Sequence, residues 1–312
     1  MKVIVQMDPV NKLNLETDST ICVIEEGLRL GFSIYYYIPQ DLYLNGDDLI
    51  AKAGEVKLEH GKCIFEKATQ ELRLKDFDIL FVRQDPPVDM RYITTTYLLD
   101  KISSNTLVIN KGIRDLPEKV FTLTKFSKFM PSTIITENLE VAEGFFDLHD
   151  ACILKPLYAC GGRDISKFDR SKKHEFIDAF KVLVQKYSAP IMLQEFLPSI
   201  KLGDKRVILI DGEIAGALNR IPMDGSITAN IASGGQAQKT KLTEKEIKIC
   251  NEVGRELKNR GVVFAGLDLI GGYLTEINIT SPTGIIVINK LYNLQGDDRL
   301  ESKLWRSITR LC

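Results

Sequence analysis

Two apolar runs, Leu267-Asp268-Leu269-Ile270 and Tyr273-Leu274-Thr275-Glu276-Ile277-Asn278, meet at Gly271-Gly272. Strand side chains alternate between faces, so Glu276 and Asn278 share one face of the second strand. A carboxylate and an amide among Leu274, Ile277 and Ile279 cost free energy unless something satisfies them. Placing Asp268 opposite Glu276 requires one residue more than a two-residue turn provides. The spacing therefore predicts an odd-numbered loop, Gly271-Gly272-Tyr273 with a bulge. Two carboxylates and an amide on one face form a hard-oxygen set of the kind that Mg²⁺ takes together with substrate phosphates.

The rest of the chain predicts an open α/β start. Residues 2–7 read as a buried strand, Ser19–Leu30 as a helix closed by Gly31, and Ser33–Ile38 as a second strand. No G-x-G-x-x-G follows the first strand, which argues against a nicotinamide dehydrogenase. Residues 44–75 read as a polar excursion of loops or a small hairpin. Ile79–Arg83 is a further strand that Asp85-Pro86-Pro87 ends, followed by a helix at Tyr92–Lys101 and a strand at Leu107–Asn110. A boundary is expected near 112–120, giving domains 1–118, 119–197 and 198–312. The middle unit opens with a helix at Pro117-Glu118-Lys119. Strands are expected at Ser132–Thr136, Cys152–Lys155 and Ile191–Glu195, and a helix at Lys172–Lys186. In the last unit Arg206–Ile210 and Glu213–Arg220 flank an Asp211-Gly212 turn. Thr243-Glu244-Lys245-Glu246 is a capping box, and Gly261 closes its helix.

The 312 residues carry a net charge of −1, so no global basic field favours nucleic acid. No run of about 18 apolar residues suggests a membrane span, and a cytoplasmic protein is expected. The six cysteines form no C-x-x-C pair and read as free thiols. The three histidines are scattered, which disfavours a His-based triad.

Several candidates precede the hairpin. The glycine-rich loops at Cys160-Gly161-Gly162-Arg163 and Asn230-Ile231-Ala232-Ser233-Gly234-Gly235 let backbone N–H groups approach phosphate, although neither is a P-loop and each alone reads equally as a plain turn. Lys155 ends a strand just before the first loop, and Lys119 sits at a helix start. Arg206 and Arg220 share a face if the register permits, and arginine suits phosphate or carboxylate oxygens. Gln194-Glu195-Phe196-Leu197 forms a hinge whose backbone can meet an adenine edge, with Asp204 beyond it. Ser281-Pro282-Thr283-Gly284 begins a helix whose N–H groups can hold a carboxylate.

The order of these parts resembles the ATP-grasp superfamily, and the whole chain resembles the bacterial glutathione synthetase family. The matching segments are Met7-Asp8-Pro9, Arg83-Gln84-Asp85-Pro86-Pro87, Ile153–Leu157, Gly203–Val207, Arg220-Ile221-Pro222 and Thr275–Thr283. The resemblance implies an ATP-grasp fold with an N-terminal open α/β domain, a small α+β lid domain and a C-terminal α+β domain. It also implies ligation of γ-glutamylcysteine to glycine, with ATP as co-substrate and an acyl-phosphate intermediate. By this resemblance Asp268, Glu276 and Asn278 hold two Mg²⁺ or Mn²⁺ ions. Arg220 and Arg206 stabilise transferring charge. Lys119, Lys155, Gly161, Gly162, Gln194, Glu195, Leu197, Asp204, Asn230, Gly234 and Gly235 hold ATP. Arg83 and Ser281–Gly284 meet the peptide, residues 223–237 close over the site, and the assembly is a homo-oligomer, a tetramer. The chain departs from the family at Thr228, where an arginine is common, at Ala159-Cys160 and at Ile285–Ile288. Alternatives are an ATP-grasp ligase for another acid and amine, or a non-catalytic ATP-binding module.

Overall fold

The computed structural model describes residues 1–14, 18–110, 117–159, 161–231 and 234–312. Cys160, Ala232, Ser233 and residues 112–116 of the boundary expected near 112–120 fall outside them. Three sheets are built from these residues.

The first sheet uses β1 (Lys2–Gln6), β2 (Ser33–Tyr37), β3 (Leu42–Asn45), β4 (Asp48–Glu59), β5 (Lys62–Phe65), β6 (Gln70–Arg73), β7 (Ile79–Val82) and β8 (Leu107–Ile109). Its parallel centre runs β2-β1-β7-β8, as the βαβ reading expects, with α1 (Ser19–Arg29) and α2 (Met90–Asp100) as connections. Asp18 caps α1 through Thr20 N at 2.6 Å. The stretch read as a polar excursion is instead four antiparallel strands. Its long member β4 buries Leu49, Ala51, Ala53 and Val56. Alanine is a poor strand former, and only packing against the parallel strands makes this alternation count.

The second sheet, ordered β11-β10-β12-β9, is antiparallel. It follows α3 (Glu118–Phe126) and contains β9 (Thr133–Thr136), β10 (Ala151–Pro156), β11 (Ser166–Asp169) and β12 (Ile191–Glu195), with α4 (Leu139–Asp147) and α5 (Lys173–Tyr187) packed on one face.

The third sheet, ordered β15-β14-β13-β16-β17, carries the site. Its strands are β13 (Asp204–Ile210), β14 (Glu213–Ile221), β15 (Gln236–Gln238), β16 (Phe264–Ile270) and β17 (Tyr273–Asn278). Val207, Leu209, Leu267, Leu269 and Ile277 point to one face, where Ile249, Cys250, Val253 and Leu257 of α6 (Glu244–Asn259) cover them. The capping box of Thr243 and Glu246 starts α6 as expected. On the opposite face, Ile208, Ile210, Leu218 and Phe264 pack with α1, α7 (Ile285–Tyr292) and α8 (Leu300–Thr309). That leaves the other end of the same face for charged residues.

Two features fix the first sheet to the third. The Asn110 amide donates to Phe264 O at 2.6 Å and Ile279 O at 2.9 Å, and its Oδ1 accepts from Val263 N and Phe264 N at 3.0 and 3.1 Å. Trp305 on α8 is 1% exposed, stacks edge-on to Phe32 and donates to Val23 O at 2.8 Å. Trp305→Ala is expected to cost about 3–5 kcal/mol, read as a lower urea midpoint with an unchanged slope.

Candidate active site

Strand register assembles the charged face. Arg206 lies beside Leu218 on one side and Asp268 on the other, and Asp268 lies beside Glu276. One row across four strands therefore reads Leu218–Arg206–Asp268–Glu276. Arg220 pairs with Asp204 one step along, and Asn278 with Gly266 one step the other way. Arg206 and Arg220 do share a face, and Asp268 does oppose Glu276. The turn differs from expectation. Gly271 and Gly272, at φ +58° and +76°, form a two-residue connection between Ile270 and Tyr273. Two successive positive φ values are the reason both positions are glycine. The odd residue sits in the strand, where the register shifts between Asp268 and Leu269. The Thr275 hydroxyl on the bulged strand donates to Asp268 O at 3.1 Å.

Asp268 is the hub. It is buried and takes a bidentate contact from Arg206, Nε to Oδ1 at 2.6 Å and Nη2 to Oδ2 at 3.0 Å. Arg220 Nη2 adds a contact to Oδ1 at 2.9 Å, and Asn278 Nδ2 one to Oδ2 at 3.3 Å. Burial alone would raise its pKa, but the two guanidinium groups outweigh burial and hold the carboxyl well below the usual range. Arg220 also pairs with Asp204 and donates to Asn230 Oδ1 at 3.3 Å. Glu276 is different. It is half-buried and pairs with Lys155, 3.8 Å away across the gap between the second and third sheets.

Lys155 is buried and donates to Gln194 Oε1 at 2.9 Å. Burial lowers its pKa, and Glu276 works against that shift. Lys119 Nζ donates to Leu157 O and Ala159 O at 3.3 and 2.9 Å, bracing the strand end that leads into the glycine loop.

All these groups line one cavity of about 700 Å³ between the sheets. Every residue expected at the site lines it except Gly234, Gly235 and Arg83. Gly234 N and Gly235 N donate to Ile231 O and Asn230 O at 3.0 Å each, so both shape the loop bearing Asn230 rather than facing the cavity. A side chain at Gly235 would stand 2.2 Å from Ala229 O. Arg83 is 3% exposed and holds Thr20 Oγ1 at 3.1 Å and Pro282 O at 3.2 Å, supporting the Ser281-Pro282 segment from behind. Ser281, Pro282 and Thr283 precede α7 rather than starting it, and Gly284 is its N-cap. At the hinge, Glu195 N and Phe196 N are spent on Ser132 O and Ala151 O at 2.9 Å each. Among the described residues the Leu197 N–H has no partner, which leaves it as the uncommitted backbone donor of the hinge.

Sequence reading missed Glu118. Its Oε1 accepts from Ile279 N at 2.7 Å and from Thr280 N and Oγ1 at 3.0 Å each. It thereby ties α3 to the end of β17. A glutamate in a first helical turn fits the helix dipole anywhere, so its sequence context held no sign of this partner.

The donor chemistry suits a hard divalent cation: two carboxylates and an amide. Among the described residues no three His, Cys, Asp or Glu side chains are grouped as a metal site, so the amide of Asn278 is needed to complete the set. Asp204 Oδ1 and Arg220 Nε, both buried, have no partner among the described residues. The site thus has polar capacity that a bound polar group would satisfy.

Comparison with known proteins decides the family. The model of the prokaryotic glutathione synthetase N-terminal domain matches residues 1–114, and that of its ATP-grasp domain matches residues 118–293. The chain belongs to the prokaryotic glutathione synthetase family. Glutathione synthetase of Bradyrhizobium diazoefficiens is 38% identical over 99% of this chain and 98% of its own length. That of Escherichia coli O6:H1 is 37% identical over 91% and 92%. Among solved structures, D-cycloserine synthetase DcsG matches with a TM-score of 0.70 at 14% identity, covering 100% of this chain and 99% of its own. ATP-grasp ligase PsnB, complexed with minimal precursor, Mg and ADP, matches at 0.60 with 17% identity, covering 99% and 98%. The PsnB likeness and the ATP-grasp family model agree on an ATP-grasp fold. Among the described residues no helix is long and apolar enough to cross a membrane.

Proposed function

We propose that the cavity between the second and third sheets is where this glutathione synthetase binds ATP, γ-glutamylcysteine and glycine and joins the two amino components. The observation that carries this is the row Arg206–Asp268–Glu276, with Arg220 alongside and Lys155 facing it from the second sheet. It concentrates fixed charge where a phosphoryl group would transfer, inside a cavity of the size small-molecule sites have.

The reaction has two steps. A cysteinyl carboxylate oxygen attacks the γ-phosphorus, and the bond to ADP breaks, giving an acyl phosphate. The glycine amine then attacks the acyl carbon, loses a proton, and expels phosphate as the amide forms. Arg220 and Arg206 are assigned to oxygens that gain charge in both steps. Lys155 and Lys119 are assigned to ATP, the hinge at Leu197 to its base, and Ser281–Gly284 to the peptide. Mg²⁺ or Mn²⁺ held by Glu276, Asn278 and Asp268 would neutralise charge on the phosphates. Asp268 enters that set only by sharing oxygens already bonded to the arginines. Residues 227–231 line the cavity wall and are assigned to the cover that keeps water from the acyl phosphate. The division into 1–118, 119–197 and 198–312 is supported by one sheet in each.

The test is ADP release with γ-glutamylcysteine, with and without glycine. Sustained turnover is expected only with both. Faster turnover with another acid–amine pair would reassign the substrates, and no ADP release with any pair would leave a binding module. EDTA is expected to stop turnover, and Mg²⁺ or Mn²⁺ to restore it, with the circular dichroism spectrum unchanged throughout.

A further inference from the structure

Among the described residues, five lysines and arginines line the cavity. Four are already engaged. Lys119 holds two carbonyls, Lys155 holds Gln194 and Glu276, and Arg206 and Arg220 hold Asp268. The fifth, Arg163, is exposed and has no hydrogen-bond or ion-pair partner among the described residues. It follows Gly161-Gly162 in the loop between β10 and β11.

An unpaired arginine on a loose loop would carry little. Here the loop is fixed on both sides of it. Asp164 adopts φ +57°, a left-handed backbone that a non-glycine residue rarely holds without support. Its support comes from the last turn of α5, where Lys186 Nζ donates to Asp164 Oδ2 at 2.6 Å and the Tyr187 hydroxyl donates to the same oxygen. On the other side Gly162 lies against the loop bearing Asn230. A Cβ at Gly162 would stand 3.2 Å from Asn230 Nδ2 and 3.5 Å from Thr228 Cγ2. Ile165 N donates to Gly162 O at 3.4 Å, closing a turn with Arg163 and Asp164 inside it.

We propose that Arg163 is a phosphate-binding residue for ATP, held at the cavity wall by Asp164, which Lys186 and Tyr187 latch to α5. The assignment rests on the reading that ATP occupies this cavity. The anion is the polyphosphate rather than a peptide carboxylate for a positional reason. Arg163 lies in the loop between two strands of the sheet that carries Lys155 and the hinge, and its neighbour Gly162 abuts Asn230, which bonds Arg220. The residues assigned to the peptide, Ser281–Gly284, follow β17 of the other sheet. A guanidinium gives phosphate oxygens a forked pair of donors.

Calorimetric binding of ATP and of adenosine, which lacks phosphates, tests this on wild type, Arg163→Ala and Arg163→Lys. Arg163→Ala is expected to weaken ATP by about 10- to 100-fold and to leave adenosine unchanged, with Arg163→Lys intermediate. Asp164→Ala, which cuts the latch, is expected to shift ATP affinity in the same direction by less. KM for γ-glutamylcysteine should stay the same in Arg163→Ala. Unchanged ATP affinity in Arg163→Ala would overturn the proposal. So would an equal loss for adenosine, which marks a structural role, or a raised KM for γ-glutamylcysteine instead, which marks a peptide contact. Wild type that binds no ATP would overturn the reading of the cavity itself, and Arg163 with it.

Discussion

Glu276→Gln and Asn278→Ala are expected to lower turnover by about 10²- to 10³-fold while the urea midpoint stays close to that of wild type. The geometry separates these two effects. Glu276 is half-buried and holds one long ion pair, 3.8 Å from Lys155. A partly exposed contact of that kind contributes at most about 1 kcal/mol to stability, so its place on the charged row points to reaction chemistry. Asn278 reaches Asp268 at 3.3 Å through Nδ2, which leaves its carbonyl oxygen for a bound cation. Near-normal turnover in either variant would remove both from the reacting charge.

Asp268→Asn is expected to lose both activity and stability, the latter by about 3–5 kcal/mol. Asp268 is the shared counter-charge of Arg206 and Arg220, and all three are buried. The amide keeps the shape but removes the charge. Arg220 retains Asp204, whereas among the described residues the Arg206 guanidinium keeps only the Thr283 carbonyl at 3.3 Å besides the altered side chain. Urea denaturation of this variant beside Glu276→Gln gives a clear contrast. A stability loss confined to Asp268→Asn supports the division of roles, and equal losses would contradict it.

The hairpin shows which parts of this site were legible. The polar residues Asp268, Glu276 and Asn278 among apolar neighbours make sense together only if Asp268 faces Glu276, and the structure has that register. The placement of the extra residue was not legible. A three-residue loop and a two-residue glycine turn with a bulged strand satisfy the same register. The Thr275 hydroxyl on Asp268 O accompanies the second, and hydrogen bonds of that kind leave no periodicity to read. Arg83, Gly234 and Gly235 carry motifs suited to ligands, yet they stand behind the cavity wall. Motif order is sequential, whereas which residue faces the gap depends on how two sheets meet. Glu118 was overlooked for the same reason, because its partners Ile279 and Thr280 lie about 160 residues further along the chain. In the first sheet, β4 was hidden by Ala51, Ala53 and Gly54, small residues that a strand uses only when a neighbour covers it.

The most direct measurement follows the oxygen atoms. γ-Glutamylcysteine labelled with ¹⁸O in its cysteinyl carboxylate, turned over with ATP and glycine, should pass one label per peptide bond into the released phosphate. Label appearing in water while the phosphate stays unlabelled would contradict carboxylate phosphorylation, and with it the role assigned here to the Arg206–Asp268–Glu276 row.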